Sequence, residues 1–236
     1  MTKSNIIDIP RIARESLLVE RLPLDGARVI DIGCGEGWLT QLVAPKTSKI
    51  IGIDPSATAL ERANAAKNTT SENYLLASAE NLPLNNASTD IAIYYNSLHH
   101  VPVALQRKAL GETARVLVEG GLLCVIEPVA SGSAYELFQP VDDESDVYDT
   151  TYKLILGVAD GVEFQQVQEE LFVDCYIYRN FEQFLDHVMV VDEGRAGVLA
   201  SLEDMLRKRF EQLGEAVDGG RRYDQVHRLN LLRKLS

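Results

Sequence analysis

Short apolar runs alternate with stretches of helical spacing through the first half of the chain. Residues 28–32, Lys49 to Ile53, 73–77, 90–95 and 121–127 read as strands. Between them lie helical patterns. Ile9 to Leu22 has apolar residues at helical spacing and ends at Pro23 and the Asp25-Gly26 turn; Trp38 to Val43 is stopped near Pro45. Ser56 caps a helix through Ala57, Leu60 and Ala63, and a further helical pattern covers 103–117. Strands and helices in strict alternation predict a parallel sheet covered on both faces.

The pattern changes after Pro128. Residues 129–150 are rich in Ser, Gly, Pro and acids, with Asp142, Asp143, Glu144, Asp146 and Asp149 close together. An irregular or partly helical lid is expected here, running into a helix near 150–158, because ligands of open α/β sheets bind at the carboxyl ends of the strands. Regularity returns with a strand over 170–178, helices over Phe181 to Val190 and Ala196 to Leu213, and a last strand over Tyr223 to Leu232 after Gly219-Gly220.

The first strand carries the chemistry. Val29-Ile30-Asp31-Ile32-Gly33-Cys34-Gly35-Glu36-Gly37 is an apolar run that reaches an Asp and breaks into glycines at every second position, and the next run closes on Asp54, where a βαβ unit places a ribose-binding carboxylate. Dinucleotide folds use G-x-G-x-x-G and rest a pyrophosphate on the helix N-terminus. Here Asp31 stands just ahead of a G-x-G-x-G, which disfavours a pyrophosphate and suits a cationic ligand such as a zwitterionic amino acid carrying a sulfonium.

At this point the sequence resembles the class I S-adenosylmethionine-dependent methyltransferases, whose first motif has the form D-x-G-x-G-x-G. The resemblance continues in order through Asp54, the segment Ala77 to Leu84, the strand and tip from Asp90 to Val101, and the Gly120-Gly121 turn and strand up to Pro128. It implies S-adenosyl-L-methionine as cofactor, held by Asp31, Gly33, Cys34, Gly35, Gly37, Asp54, Pro55, Ser78, Ala79, Glu80, Asn96 and Ser97. Ser78 departs from the pattern, since many members carry an Asp there for the adenine amino group. The resemblance also implies a Rossmann-like, doubly wound α/β fold: a seven-stranded, mostly parallel sheet with the last strand antiparallel, an N-terminal helix over the cofactor site and a lid insertion after the fifth strand. A single domain is expected, divided into a helical cover over 1–27, a cofactor-binding core over 28–128, a lid or substrate insertion over 129–165, and C-terminal strands and helices over 166–236.

Methyl transfer from a sulfonium needs an aligned nucleophile and a dry pocket more than a dedicated side chain. Where the acceptor must lose a proton, His99 and His100 after the fourth strand are the candidate bases. Glu127 is a candidate for binding substrate or for fixing the chain entry before Pro128. Tyr135, Phe138, Tyr148 and Tyr152 are candidate walls around a small acceptor. No metal-ligand set stands out.

The chain of 236 residues, 46% hydrophobic, suffices for one full core, and a formal charge of −12 opposes a nucleic-acid partner. Residues 1–8 carry charge where a signal peptide needs an apolar stretch, and no run reaches the ~20 residues of a membrane span, so a cytoplasmic protein without a membrane partner is expected. Cys34, Cys124 and Cys175 are odd in number and far apart, as reduced thiols are. The sequence does not give an oligomeric state. Two other readings stay open: a protein that binds S-adenosylmethionine without transferring its methyl, and an NAD-dependent oxidoreductase, for which the last glycine of the dinucleotide motif is absent.

Overall fold

The computed structural model describes residues 9–191 and 196–236; the reading of residues 1–8 lies outside them. The chain forms two compact units. The first comprises Ala13–Glu127, Val147–Glu170 and Arg228–Ser236, and the second comprises the described part of 1–12 with Pro128–Asp146 and Leu171–His227.

The first unit is built on alternation. It begins with helix α1 (Arg14–Arg21), followed by β1 (Arg28–Ile32), α2 (Trp38–Val43), β2 (Lys49–Asp54), α3 (Ala57–Ala66), β3 (Glu72–Leu76), β4 (Thr89–Tyr95), α4 (Val103–Val116) and β5 (Leu117–Pro128). Strands β1 and β2 are buried over nearly their whole length, as the unbroken apolar runs require. Pairing is parallel from β3 through β2, β1 and β4 to β5. The core lies where Ile30, Ile32, Ile53, Tyr94, Leu110 and Leu123 meet. Ser56 caps α3 as expected, its Oγ accepting the Ala59 N–H at 3.2 Å.

Helix α6 (Ser145–Ala159) follows the short α5 (Ser133–Phe138) and leads into β6 (Phe164–Tyr178). After α7 (Phe181–Val191) and α8 (Ala196–Leu213) come β7 (Glu215–Val217) and β8 (Gly220–Lys234). The strand order is β3-β2-β1-β4-β5-β8-β6, with β7 paired antiparallel to β8 off that path. In the second unit, Tyr178, Phe181, Phe184, Phe210 and Tyr223 form a largely aromatic core.

Three expectations are corrected. The sheet has eight strands rather than seven, because Glu215–Val217 adds a three-residue spur on β8. The N-terminal helix starts at Arg14, not Ile9. Residues 10–12 are instead extended along β6: the Val173 N–H donates to Pro10 O at 2.9 Å and the Ile12 N–H to Val173 O at 3.2 Å. Proline biases the residue before it to extended geometry. Strand β6 starts at Phe164, inside the segment read as the 129–165 insertion, and that segment is more helical than expected.

Candidate functional site

The carboxyl ends of β1, β2 and β4 surround a cavity of about 510 Å³. Each tip is fixed by backbone geometry. After β1 the chain turns onto β2, with the Gly33 and Cys34 N–H groups donating to Ile53 O at 2.7 and 3.1 Å. Gly33 has φ +77°, and a Cβ there would stand 2.5 Å from Ser97 Cβ. Gly37, at φ +83°, leaves room for the Tyr74 ring, whose Oη would lie 2.5 Å from an added Cβ. Only glycine meets both demands at these positions.

Asp54 ends β2 and is held by two backbone donors. The Gly35 N–H donates to Oδ2 at 2.8 Å, and the Ser56 N–H donates to Oδ1 at 2.8 Å. A carboxylate offers about four lone-pair positions, so two remain for a ligand. At the tip of β4, the Asn96 N–H donates to Ile126 O at 2.8 Å, and the Ser97 hydroxyl ties that tip to β1 by donating to Ile32 O at 2.6 Å. Asn96 has φ +51°, and its side-chain Oδ1 is buried with no hydrogen-bond partner. The loop after β3 is pinned to α4: Glu112 accepts the Leu82 N–H at 3.0 Å, and Arg115 donates to Leu82 O and Leu84 O at 2.9 and 2.8 Å.

Of the residues singled out in the sequence, Gly33, Gly35, Asp54, Pro55, Ser78, Ala79, Glu80, Asn96, Ser97 and His100 line the cavity. Asp31, Cys34, Gly37 and His99 do not. Asp31 is 1% exposed beneath the glycine turn, where it accepts the Thr40 hydroxyl at 2.6 Å. Burial raises its pKa to about 7, against the lowering effect of Thr40 and with a small rise from Asp54. Burial likewise pushes the Cys34 thiol up, helped by the charges of Asp31 and Asp54, so it is not a reactive thiolate. Gly37 caps α2.

His99 is buried, and its Nδ1 is hydrogen-bonded to Glu127 Oε2. Its ring lies 4.0 Å from that of His100 and meets Tyr148 edge-on at 5.0 Å. Beside the glycine turn, the Arg14 guanidinium lies 4.8 Å from the centre of the Trp38 ring, which places α1 against the start of α2. Tyr152 packs under Arg228 at 3.6 Å and donates to Glu169 at 2.8 Å, so its ring belongs to the wall of the first unit. Tyr135 and Phe138 lie in the second unit, Tyr135 donating to Asp143 at 2.9 Å and Phe138 packing edge-on against Phe184.

Sequence reasoning missed Tyr94, Val101 and Pro102, which also line the cavity. Tyr94 carried a usable signal, since it stands at the carboxyl end of β4, where ligands of open α/β sheets bind.

Comparison with known proteins finds a likeness over the part of the chain that carries the strand tips. The family described as "Methyltransferase domain" matches residues 30–125. Over those residues the chain is similar to methyltransferases. A ubiquinone/menaquinone biosynthesis C-methyltransferase of Campylobacter jejuni is 36% identical over 108 residues, covering 42% of this chain and 44% of that protein. The chain spans well under two thirds of the curated relatives it matches; the alignment with a Methanocaldococcus jannaschii protein covers 39% of that relative. In fold, the YcgJ protein of Bacillus subtilis superposes with a TM-score of 0.65 at 19% identity, covering 94% of this chain and 98% of its own. A [4+2]-cyclase, SpnF, superposes at 0.58 with 19% identity, covering 94% of this chain and 80% of its own.

Proposed function

We propose that this protein transfers the methyl group of S-adenosylmethionine to a small-molecule acceptor at an O, N or C nucleophile, in a closed pocket. The observation that carries the reading is the pairing of Asp54 with Asn96 across one cavity. Asp54 is an oriented carboxylate with lone pairs to spare for the two ribose hydroxyls. The unpartnered Asn96 Oδ1 is an acceptor for the ammonium of the methionine portion. The apolar walls given by Ile53, Ala77, Ala79 and Val101 suit the adenine ring, with Ser78 and Glu80 at its edge. Gly33 and Gly35 let the backbone approach the ligand closely, Cys34 and Gly37 shape the turn that carries them, Pro55 and Ser97 complete the walls, and Asp31 lies beneath that turn.

When bound, the cofactor supplies an electrophilic methyl on a sulfonium. The chain's own contribution is then alignment and exclusion of water, worth roughly 7–11 kcal/mol of the barrier when the reacting atoms are well oriented. Where the acceptor carries a proton, His99 or His100 receives it, a contribution of about 10²–10⁴-fold. The net charge of −12 sets the acceptor apart from nucleic acid. Among the described residues no helix is long and apolar enough to cross a membrane.

Two measurements test the reading. S-adenosylhomocysteine at 100 times its dissociation constant raises stability by about 2.7 kcal/mol, whereas NAD gives no protection. Protein incubated with methyl-labelled cofactor and a metabolite extract then yields a labelled small molecule, detected by mass spectrometry. Protection by S-adenosylhomocysteine with no labelled product would favour a cofactor-binding protein of different chemistry. Protection by NAD alone would overturn the assignment.

A further inference from the structure

The cavity holds a second carboxylate besides Asp54. Glu80 lines it, half-buried, and among the described residues no hydrogen bond or ion pair engages that side chain. A tight turn sets its place: the Asn81 N–H donates to Ser78 O at 3.1 Å, so Ser78, Ala79 and Glu80 come together on one stretch of wall. The turn is anchored at both ends. On one side the Leu82 N–H donates to Glu112 at 3.0 Å and Arg115 donates to Leu82 O at 2.9 Å; on the other the Ala77 N–H donates to Asp54 O at 3.2 Å, beside the tip of β2.

These neighbours matter for a nucleoside. A ligand whose ribose hydroxyls bind Asp54 carries its base on the carbon adjacent to the one bearing the 2′-hydroxyl, and the stretch of wall that adjoins Asp54 through Ala77 is the Ser78–Asn81 turn. Two side chains there are polar, Ser78 and Glu80. A hydroxyl donates as readily as it accepts, so Ser78 pairs equally with an amino or an oxo group on a base. An ionised carboxylate only accepts, so it pairs with the amino group alone.

We propose that Glu80 is the specificity-determining residue of the base subsite: its carboxylate accepts from the exocyclic amino group of adenine and rejects a base with an oxo group in that position. This rests on the reading of the cavity as a cofactor site. The resemblance puts the acidic group at position 78, where this chain has a hydroxyl. The turn gives the role instead to the free carboxylate two residues further on, held on a loop that Glu112 and Arg115 fix in place.

Calorimetry with two ligands tests the assignment: S-adenosylhomocysteine and its deaminated analogue S-inosylhomocysteine, which differ only at that edge of the base. The wild type should prefer the amino ligand by about 10- to 150-fold, the range for a hydrogen bond to a charged acceptor. Glu80→Gln, whose amide both donates and accepts, should bind the two ligands within about threefold of each other. Glu80→Ala should lose the preference as well, through a weaker hold on S-adenosylhomocysteine, and serves where Glu80→Gln does not fold. Ser78→Ala should keep the wild-type preference. A change in loop stability alone weakens both ligands alike and leaves their ratio unmoved.

Equal binding of the two ligands by the wild type, a wild-type preference retained in the Glu80 variants, or a preference lost in Ser78→Ala instead would each overturn this proposal and leave the cofactor reading standing. Binding of neither ligand by the wild type would overturn the cofactor reading, and the proposal with it.

Discussion

Asp31 is a buried carboxyl whose cost is set by pH, and that cost is measurable as stability. The group is 1% exposed, and desolvation raises its folded pKa to about 7 from an ordinary 3.8. A carboxyl whose folded pKa lies above its unfolded one favours folding most below the unfolded value. That advantage is lost as pH rises through the folded value. Relative to the fully protonated limit, the loss is about 2 kcal/mol at pH 5 and about 4 kcal/mol at pH 8, from 1.36 kcal/mol per pKa unit. Asp31→Asn does not titrate, keeps an oxygen for the Thr40 hydroxyl and removes the buried charge. Wild type should therefore lose about 2–3 kcal/mol relative to Asp31→Asn between pH 5 and pH 8. Urea unfolding of both ligand-free proteins at each pH gives the two free energies, and the other titrating groups cancel in the difference. A difference that stays constant across this range, or grows in favour of the wild type, would refute the claim that burial governs Asp31. Thr40→Val, which removes a donor opposing burial, should move the loss to higher pH.

Asp54→Ala should weaken S-adenosylhomocysteine binding by about 1.5–3 kcal/mol, roughly 10- to 150-fold by calorimetry, the range for hydrogen bonds to a charged acceptor. Arg115→Ala releases the carbonyls of Leu82 and Leu84 and the partner of Glu112, so stability in urea should fall by about 1.5–3 kcal/mol. S-adenosylhomocysteine should also bind it more weakly, because the loop carrying Ser78 to Glu80 loses its anchor. Gly33→Ala meets both a left-handed backbone and the Ser97 side chain, a combined cost of about 2–6 kcal/mol in unfolding free energy. Adding Ser97→Gly should recover only the packing share, because the backbone strain at Gly33 remains.

The parallel half of the sheet was legible because burial on both faces leaves an unbroken apolar run, and such runs mark β1, β2 and β4 whatever lies around them. Strand β6 was only half legible for the opposite reason. It ends the strand order, and its first half, Phe164 to Glu170, has only Phe164 and exposed Val167 among five polar residues, so composition marked only the more apolar stretch from 170. Strand β7 has three residues, none of them buried, and takes its pairing from β8 alone, leaving nothing local to read. The same division holds in the site. Gly33, Asp54 and Asn96 sit at strand tips, where chain order alone predicts convergence. The Asp31–Thr40 and Glu127–His99 contacts join residues 9 and 28 positions apart, and they exist only because a turn or a neighbouring strand folds one over the other. Glu127 shows the consequence most clearly. From sequence it is a charged residue at the strand end nearest the substrate side, a natural ligand-binding candidate. The fold buries it and turns both its oxygens onto the β4 tip, so its charge acts through His99 and the backbone of Leu98 rather than on a ligand in the cofactor cavity.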